Sequence, residues 1–478
     1  MRICKGFFLF ILFFGCYVAG AQNKQLLYDF NEIPQALMLN PGMETDFDWF
    51  AGMPLLSGTS FQFGSSGVSV DDIFADDGLD INDKIRERVL GQMGINDELS
   101  GTYQIELLTG GFRGKKNTRN FYTFGVYHEG DAIGYWFKDL AFLAFEGNAD
   151  QLGKRFDLSH LKARGEMLNV FHFGVNKQMG RNLTVGVRGK IYSGIFNFQS
   201  TKNEGYFVTD QGQNNLLANI LVANMRLRTS GINAIENTLD NETVVGEVIK
   251  RGFFGGDLGV GVDLGFTYRL NEQTYITGSL LDLGFLYHTN DIKSFTLQGN
   301  ATVEGIELIL PQDAVNSNRD FWQDLVDEVE ALIPFEENND AYISLRPTKL
   351  YASLRYDFGK NLETRINCDC SYLYSSRDVR KRYTNSMGGQ IYIVNRPRGP
   401  QTAVTAFYQR RFGNGLSLKT TYTADKFSFT NIGLGINLQA GPVNLYAMAD
   451  NLLAYQNIAA SRYASFQLGV NIISWGRK

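Results

Sequence analysis

The most regular feature of the chain is alternation. From Leu258 to Leu270, the residues Leu258, Val260, Val262, Leu264, Phe266, Tyr268 and Leu270 are apolar, while Gly259, Gly261, Asp263, Gly265, Thr267, Arg269 and the following Asn271 are small or polar. Successive side chains of a strand point to opposite faces, so the pattern predicts one β-strand with an apolar and a polar face. Its length exceeds the ~5–6 residues of an average soluble strand and meets the ~9–11 that a tilted membrane strand needs.

The same period returns repeatedly. Leu183, Val185, Val187 and Ile191 oppose Arg188, Lys190 and Tyr192. Leu350, Ala352, Leu354, Tyr356 and Phe358 oppose Ser353, Arg355 and Asp357. Leu362, Ile366, Cys368, Cys370, Tyr372 and Tyr374 oppose Glu363, Arg365, Asn367 and Asp369, and segments 416–424, 430–438 and 466–474 behave alike. Gly180-Arg181-Asn182, Asn271-Glu272-Gln273, Gly359-Lys360-Asn361, Gly413-Asn414-Gly415 and Gly441-Pro442 supply hairpin turns. Strands are expected near 57–69, 102–112, 120–129, 132–138, 167–178, 182–198, 256–270, 274–286, 348–358, 362–375, 386–394, 402–412, 415–424, 428–438, 442–449 and 464–475.

Two all-β architectures fit this pattern. A soluble sandwich turns the polar face to water; a membrane barrel turns it to the lumen and the apolar face to lipid. Strand length favours the barrel, as do aromatics near strand ends (Tyr372, Tyr374, Phe427, Phe429, Trp475) and a final strand able to close the sheet. The expectation is an all-β, transmembrane antiparallel β-barrel of about 14 (14–16) strands.

Two inserts have helical spacing instead. Within 213–250, Leu216, Leu217, Ile220, Leu221 and Met225 share one helix face, and Ile232, Ile235, Leu239, Val245 and Ile249 follow a break at Thr229-Ser230-Gly231. Within 319–332, Phe321, Trp322, Leu325, Val326, Val329 and Leu332 form an apolar stripe before Pro334. Counting strands back from the C-terminus puts both inserts on the same side of the membrane as that terminus, at odds with the usual short periplasmic turns.

Composition removes other classes. The chain has 478 residues, 44% hydrophobic, 13% aromatic and 20% charged, with no apolar run long enough for repeated helical spans. Its 51 Gly and 9 Pro suit ladders that keep their donors. The net charge of −5 grows two units more negative when Arg2 and Lys5 leave with the leader, which argues against nucleic acid. That leader is residues 1–21: a basic start, the apolar Gly6–Phe14 and the small Ala19-Gly20-Ala21 site form a signal peptide, with Cys16 as a lipoprotein alternative disfavoured by Phe13. Cys368 and Cys370 lie on one strand face and are read as free thiols; with four scattered His they give no zinc spacing and no metal is assigned.

The candidate chemistry is electrostatic. Arg188, Lys190, Asp263, Arg269, Arg355, Asp357, Glu363 and Arg365 fall on the lumen face, where an open pore uses them for selectivity and a plugged one as an ion-pair lattice. Asp76 to Asp83 has oxygen ligands at calcium-loop spacing without the full pattern; the plainer reading is a solvated loop in which Asn82 or Asp83 caps a helix from Lys84 to Met93. No nucleophile elbow, zincin or phosphate-loop motif occurs, so no enzyme and no cofactor is expected.

Before the first strand stands Leu39-Asn40-Pro41-Gly42. It resembles the Asn-Pro-Ala/Gly element of the N-terminal hatch in FadL-like outer-membrane barrels. Residues 28–42 also resemble the start of PorV and PorP/SprF barrels, associated with type IX secretion. Pro54–Gly58, Leu281–Phe285, Arg396–Pro400 and Leu445 through Leu452 resemble phrases of an uncharacterised Bacteroidota outer-membrane barrel family. The resemblance implies an N-terminal plug (22–56) ahead of a barrel (57–478), with Asn40, Pro41 and Gly42 as hatch positions. It implies outer-membrane lipid as surroundings, a small hydrophobic ligand, and secretion or other envelope proteins as partners. A closed barrel that docks such partners, and more remotely a barrel enzyme, are the alternatives.

Overall fold

The computed structural model describes residues 24–115, 117–148, 150–212, 217–239, 244–304, 336–362 and 382–475. The leader, the 319–332 insert, Glu363, Arg365, Cys368 and Cys370 lie outside the described residues.

Fourteen strand positions close into one antiparallel ring. The first is shared by β1 (Phe47–Gly52) and β2 (Thr59–Ser65), which pair in succession with the same two neighbours, β3 (Glu98–Arg113) and β15 (Tyr463–Trp475). The ring continues through β4 (Asn120–Tyr135), β5 (Ala163–Met179), β6 (Leu183–Gln211), β7 (Asp257–Arg269), β8 (Thr274–His288) and β9 (Lys349–Leu362). It closes through β10 (Arg382–Arg396), β11 (Gly399–Phe412), β12 (Leu416–Ala424), β13 (Asn431–Ala440) and β14 (Val443–Asp450) onto β15.

Burial along the strands inverts that of a soluble protein. On β7, Leu258, Val260, Leu264, Phe266 and Tyr268 are exposed, while Asp257, Asp263 and Thr267 are buried. A ring whose outer face is apolar all round is stable in lipid, where every backbone group is bonded within the wall. No described helix is long and apolar enough to cross a membrane.

Short turns at 114–119, 180–182, 270–273, 413–415 and 441–442 gather at the rim where β1 begins and β15 ends. The strand ends joined across 66–97, 136–162, 212–256 and 289–348 lie at the opposite rim; residues 363–381, between β9 and β10, lie outside the described residues. The described part of the 213–250 insert therefore lies away from the C-terminus, correcting the sidedness expected for it. Gly359-Lys360-Asn361 is not a turn: Gly359 has φ +94° at a bulge inside β9. β9 pairs directly with β10, and all but the first residue of the expected 362–375 strand lies outside the described residues. The strands expected at 120–129 and 132–138 are the single β4.

The first part of the 213–250 insert is also corrected. Leu217–Ser230 is a strand, not a helix. It pairs with the part of β6 beyond Asn197 and with Ile292–Glu304, a strand the periodicity did not reveal. Ala223 and Leu297 pack with Leu158, beside Leu140 from helix Lys138–Glu146. The apolar residues of this strand are spaced so that they also suit a helix, and pairing with two neighbouring strands decides. Helices do follow the Gly231 break, at Ile232–Leu239 and Val244–Lys250.

Residues 24–46 lie inside the ring. Leu26, Leu27, Tyr28, Phe30, Ile33, Leu37 and Met43 are buried in one cluster with Tyr351, Tyr392, Tyr446 and Met448 of the wall. Ile33 precedes a short 3-10 turn, Pro34–Met38, with proline at its start, where the missing N–H costs nothing. β1, placed by the sequence reading within the plug segment 22–56, is part of the wall.

Candidate functional site

The inner surface has two differently built sides. On one, β6 places Gly186 directly opposite Gly265 of β7. Both face inward, so two strands present bare backbone, and Asn40-Pro41-Gly42 lies on it. A Cβ on Gly186 would meet the Pro41 carbonyl oxygen at 2.0 Å, and one on Gly42 would meet the Gly265 carbonyl oxygen at 2.3 Å. The Asn40 side-chain oxygen accepts from the Gly42 N–H (2.9 Å) and its amide donates to the Phe266 carbonyl (3.2 Å). The Asn176 amide donates to the carbonyls of Pro41 (2.8 Å) and Met43 (2.7 Å).

Beside this notch stands an ion lattice. The Asp263 carboxylate meets Arg188 Nε at 2.7 Å and Lys190 at 2.9 Å. Lys190 also reaches Asp282 (2.6 Å), which binds Lys349 (2.9 Å). Asp282 sits at a bulge in β8 with φ +58°, which brings its carboxylate inward to both lysines. Arg346 pairs with Glu166 and Glu129. Arg188 also donates to the carbonyls of Leu37 (3.1 Å) and Met38 (2.6 Å), and Ser279 donates to that of Leu39 (2.6 Å). Arg269 pairs with Glu44 at 3.2 Å. The interior segment is thus gripped through its backbone from residue 37 onward.

The other side is aromatic and amide-rich. Tyr28 stacks on Tyr351 (centroids 4.8 Å), which meets Tyr392 (4.6 Å). Gln390 and Lys419 donate to the Tyr28 carbonyl. Glu32 latches the segment to this side: it pairs with Arg411 (2.5 Å) and Arg382 (2.9 Å) and accepts from Gln409 (2.9 Å). Burial by itself would raise the Glu32 carboxyl; the two guanidiniums more than offset it and hold the group well below the usual carboxylate range. Gln35 exchanges hydrogen bonds with Asn471 at 2.8 Å each way. Cavities of about 50 and 20 Å³ remain between segment and wall.

Of the charges singled out in the sequence, Arg188, Lys190 and Asp263 come together, Arg269 meets Glu44, and Arg355 meets Asp357 at 3.1 Å on the same strand. Sequence reasoning missed Asp282, Arg346, Glu129, Glu166 and Glu32. Glu129 and Glu166 do share the alternation of their strands; Asp282 is hidden by its bulge. The loop 71–88 uses its carboxylates locally. Asp77 pairs with Lys84 (2.6 Å) and Arg88 (2.9 Å). Asp80, rather than Asn82 or Asp83, accepts from Asn82 N–H to cap Ile81–Lys84, a helix that starts three residues before the expected one.

Residues 41–450 match the pattern of DUF5723, a family of unknown function. The chain belongs to that family. No curated protein matches it. Among solved structures it is similar to the toluene transporter TbuX of Ralstonia pickettii (10% identity, 92% of each chain, TM-score 0.39). A FadL homologue of Pseudomonas aeruginosa has 9% identity over 94% of this chain and 95% of its own, with TM-score 0.37. The translocator domain of the autotransporter NalP of Neisseria meningitidis has 8% identity, 92% of each chain and TM-score 0.30. At this level the likenesses speak to no shared activity.

Proposed function

We propose that the protein is an outer-membrane transporter for a small hydrophobic solute in a Bacteroidota envelope, with residues 24–46 as its plug and Asn40-Pro41-Gly42 as the hatch hinge. The short-turn rim faces the periplasm after leader cleavage near Ala21. The observation that carries this reading is the aromatic lining beneath the plug. Leu26, Leu27, Tyr28 and Phe30 cover Tyr351, Tyr392, Tyr446 and Met448, so withdrawal of the front half exposes an aromatic strip beside Gln390, Gln409 and Lys419 on which an apolar solute can pack. The charged side keeps the rear half seated.

Planar-bilayer recording tests the plug. Removing residues 24–43 leaves β1 in the wall and should raise single-channel conductance severalfold over the intact mature chain. Equal conductance counts against a plug. It would favour the second reading, a closed barrel docking type IX secretion or other envelope partners through its long-loop rim, which the close filling of the interior supports.

A further inference from the structure

The outer wall carries polar groups where lipid alone would leave them unsatisfied. Tyr103 of β3 meets His128 of β4 at 2.8 Å, and His128 meets the Asn169 side-chain oxygen of β5 at 2.8 Å. Asn169 faces outward, since its neighbours Leu168 and Val170 pack inside with Tyr192. Its amide donates to the Gly252 carbonyl (2.9 Å). Ser193, also outward, donates to the Arg251 carbonyl and accepts from the Phe254 N–H, each at 2.9 Å. The turn Arg251–Gly255 is therefore fastened to the outside of the barrel.

Phe254 holds φ +68°, a left-handed conformation unfavourable for a bulky residue. It keeps the ring stacked on Phe171, an outward residue of β5, with centroids 4.5 Å apart. Phe253 and Phe254 remain 52% and 51% exposed. In the preceding helix Val244–Lys250, Val245 and Ile249 are four apart, hence on one face, and are 70% and 56% exposed. Through the contacts of Phe253 and Phe254 with Phe171, the turn joins the outward face of β5, on which Phe173 is also exposed.

We infer that residues 244–254 form an interfacial segment, lying in the lipid boundary against the outer wall with Val245, Ile249, Phe253 and Phe254 among the acyl chains. Such an element inserts about 5–10 Å below the headgroups. The polar groups on the wall side are occupied by the turn itself, so the segment settles without leaving a donor bare in lipid. The inference needs only the membrane-embedded barrel and is independent of transport.

Bromine quenching tests it on the full mature chain, with Cys368→Ser and Cys370→Ser, reconstituted in phosphatidylcholine vesicles with brominated acyl chains. Bimane attached at Val245→Cys or Ile249→Cys should be quenched at least half as strongly as at Leu264→Cys on the outer wall, and severalfold more than at Glu87→Cys, an exposed position on the same rim. Quenching no greater than at Glu87→Cys overturns the inference. Adding Phe254→Gly relieves the backbone and removes the ring; quenching at Val245→Cys should then fall by half or more. Retained heat-modifiable gel mobility shows that each variant is folded, and undiminished quenching after Phe254→Gly overturns the role given to that ring.

Discussion

The two sides of the inner wall hold the same segment by different physics. On β5 to β8 the contacts are directional: backbone carbonyls of residues 37–43 are gripped by Asn176, Arg188 and Ser279, over a glycine notch that admits no side chain. On β9 to β15 aromatic stacking and apolar packing are added to fewer polar ties: Glu32 to Arg382 and Arg411, the Tyr28 carbonyl to Gln390 and Lys419, and Gln35 to Asn471. Directional contacts fix one geometry. Apolar contacts tolerate sliding and replacement by another apolar body. On the function proposed above, a segment held in this way is fixed at its rear and exchangeable at its front.

This contrast can be broken at several points. Asp263→Asn leaves Arg188 and Lys190 without their shared carboxylate. Removing one partner of a buried pair costs about 3–5 kcal/mol, so the thermal transition of the purified barrel should drop by the largest amount of the set. Gly186→Ala drives a Cβ into the Pro41 carbonyl, a backbone atom that cannot step aside. Overpacking of this kind costs about 1–3 kcal/mol, and limited proteolysis should cut near residues 38–46 in the variant and not in the parent. An unaltered digestion pattern would remove the notch from the account.

The apolar side should respond differently. Glu32→Gln loses charge-assisted bonds of about 1.5–3 kcal/mol, and openings in bilayer recordings should become more frequent, with a smaller drop in the thermal transition than Asp263→Asn gives. The sign of the pH effect follows. A carboxyl held low when folded stabilises the closed state above its unfolded value near 4.3 and loses that contribution only as pH falls through the depressed folded value. The parent should therefore stay closed from pH 7 to pH 4 and open only in stronger acid, whereas Glu32→Gln should show no such step. Tyr351→Leu removes the stack on Tyr28, worth about 0.5–1.5 kcal/mol, and should give the smallest rise in opening. Were it to destabilise the barrel as much as Asp263→Asn, the two sides would not differ as described.

Much of the wall was legible because a barrel strand spends alternate residues on two unlike surroundings. Leu258–Leu270 shows this without interruption, and its polar members Asp263 and Thr267 are buried on the inside. The misreadings share a cause: local geometry overruled by partners. Gly359 resembles a turn because glycine suits both a turn and a bulge. Leu217–Ser230 resembles a helix because its apolar spacing suits either form, and only its pairing with β6 and Ile292–Glu304 decides. The Asn40-Pro41-Gly42 bend was visible from residue types, but the notch that receives it was not. Gly186 and Gly265 lie 79 positions apart in the chain, and only the β6–β7 register sets them side by side.

The central claim is that the front of the interior segment must leave the lumen for a solute to pass. Gln35 and Asn471 touch through their side-chain amides, so Gln35→Cys with Asn471→Cys, in a chain lacking Cys368 and Cys370, can be joined by a short thiol crosslinker. Cells carrying the protein should then lose their uptake of the hydrophobic dye N-phenylnaphthylamine on crosslinking with a cleavable reagent and regain it on cleavage. Uptake unchanged by a crosslink verified on the gel would contradict the account.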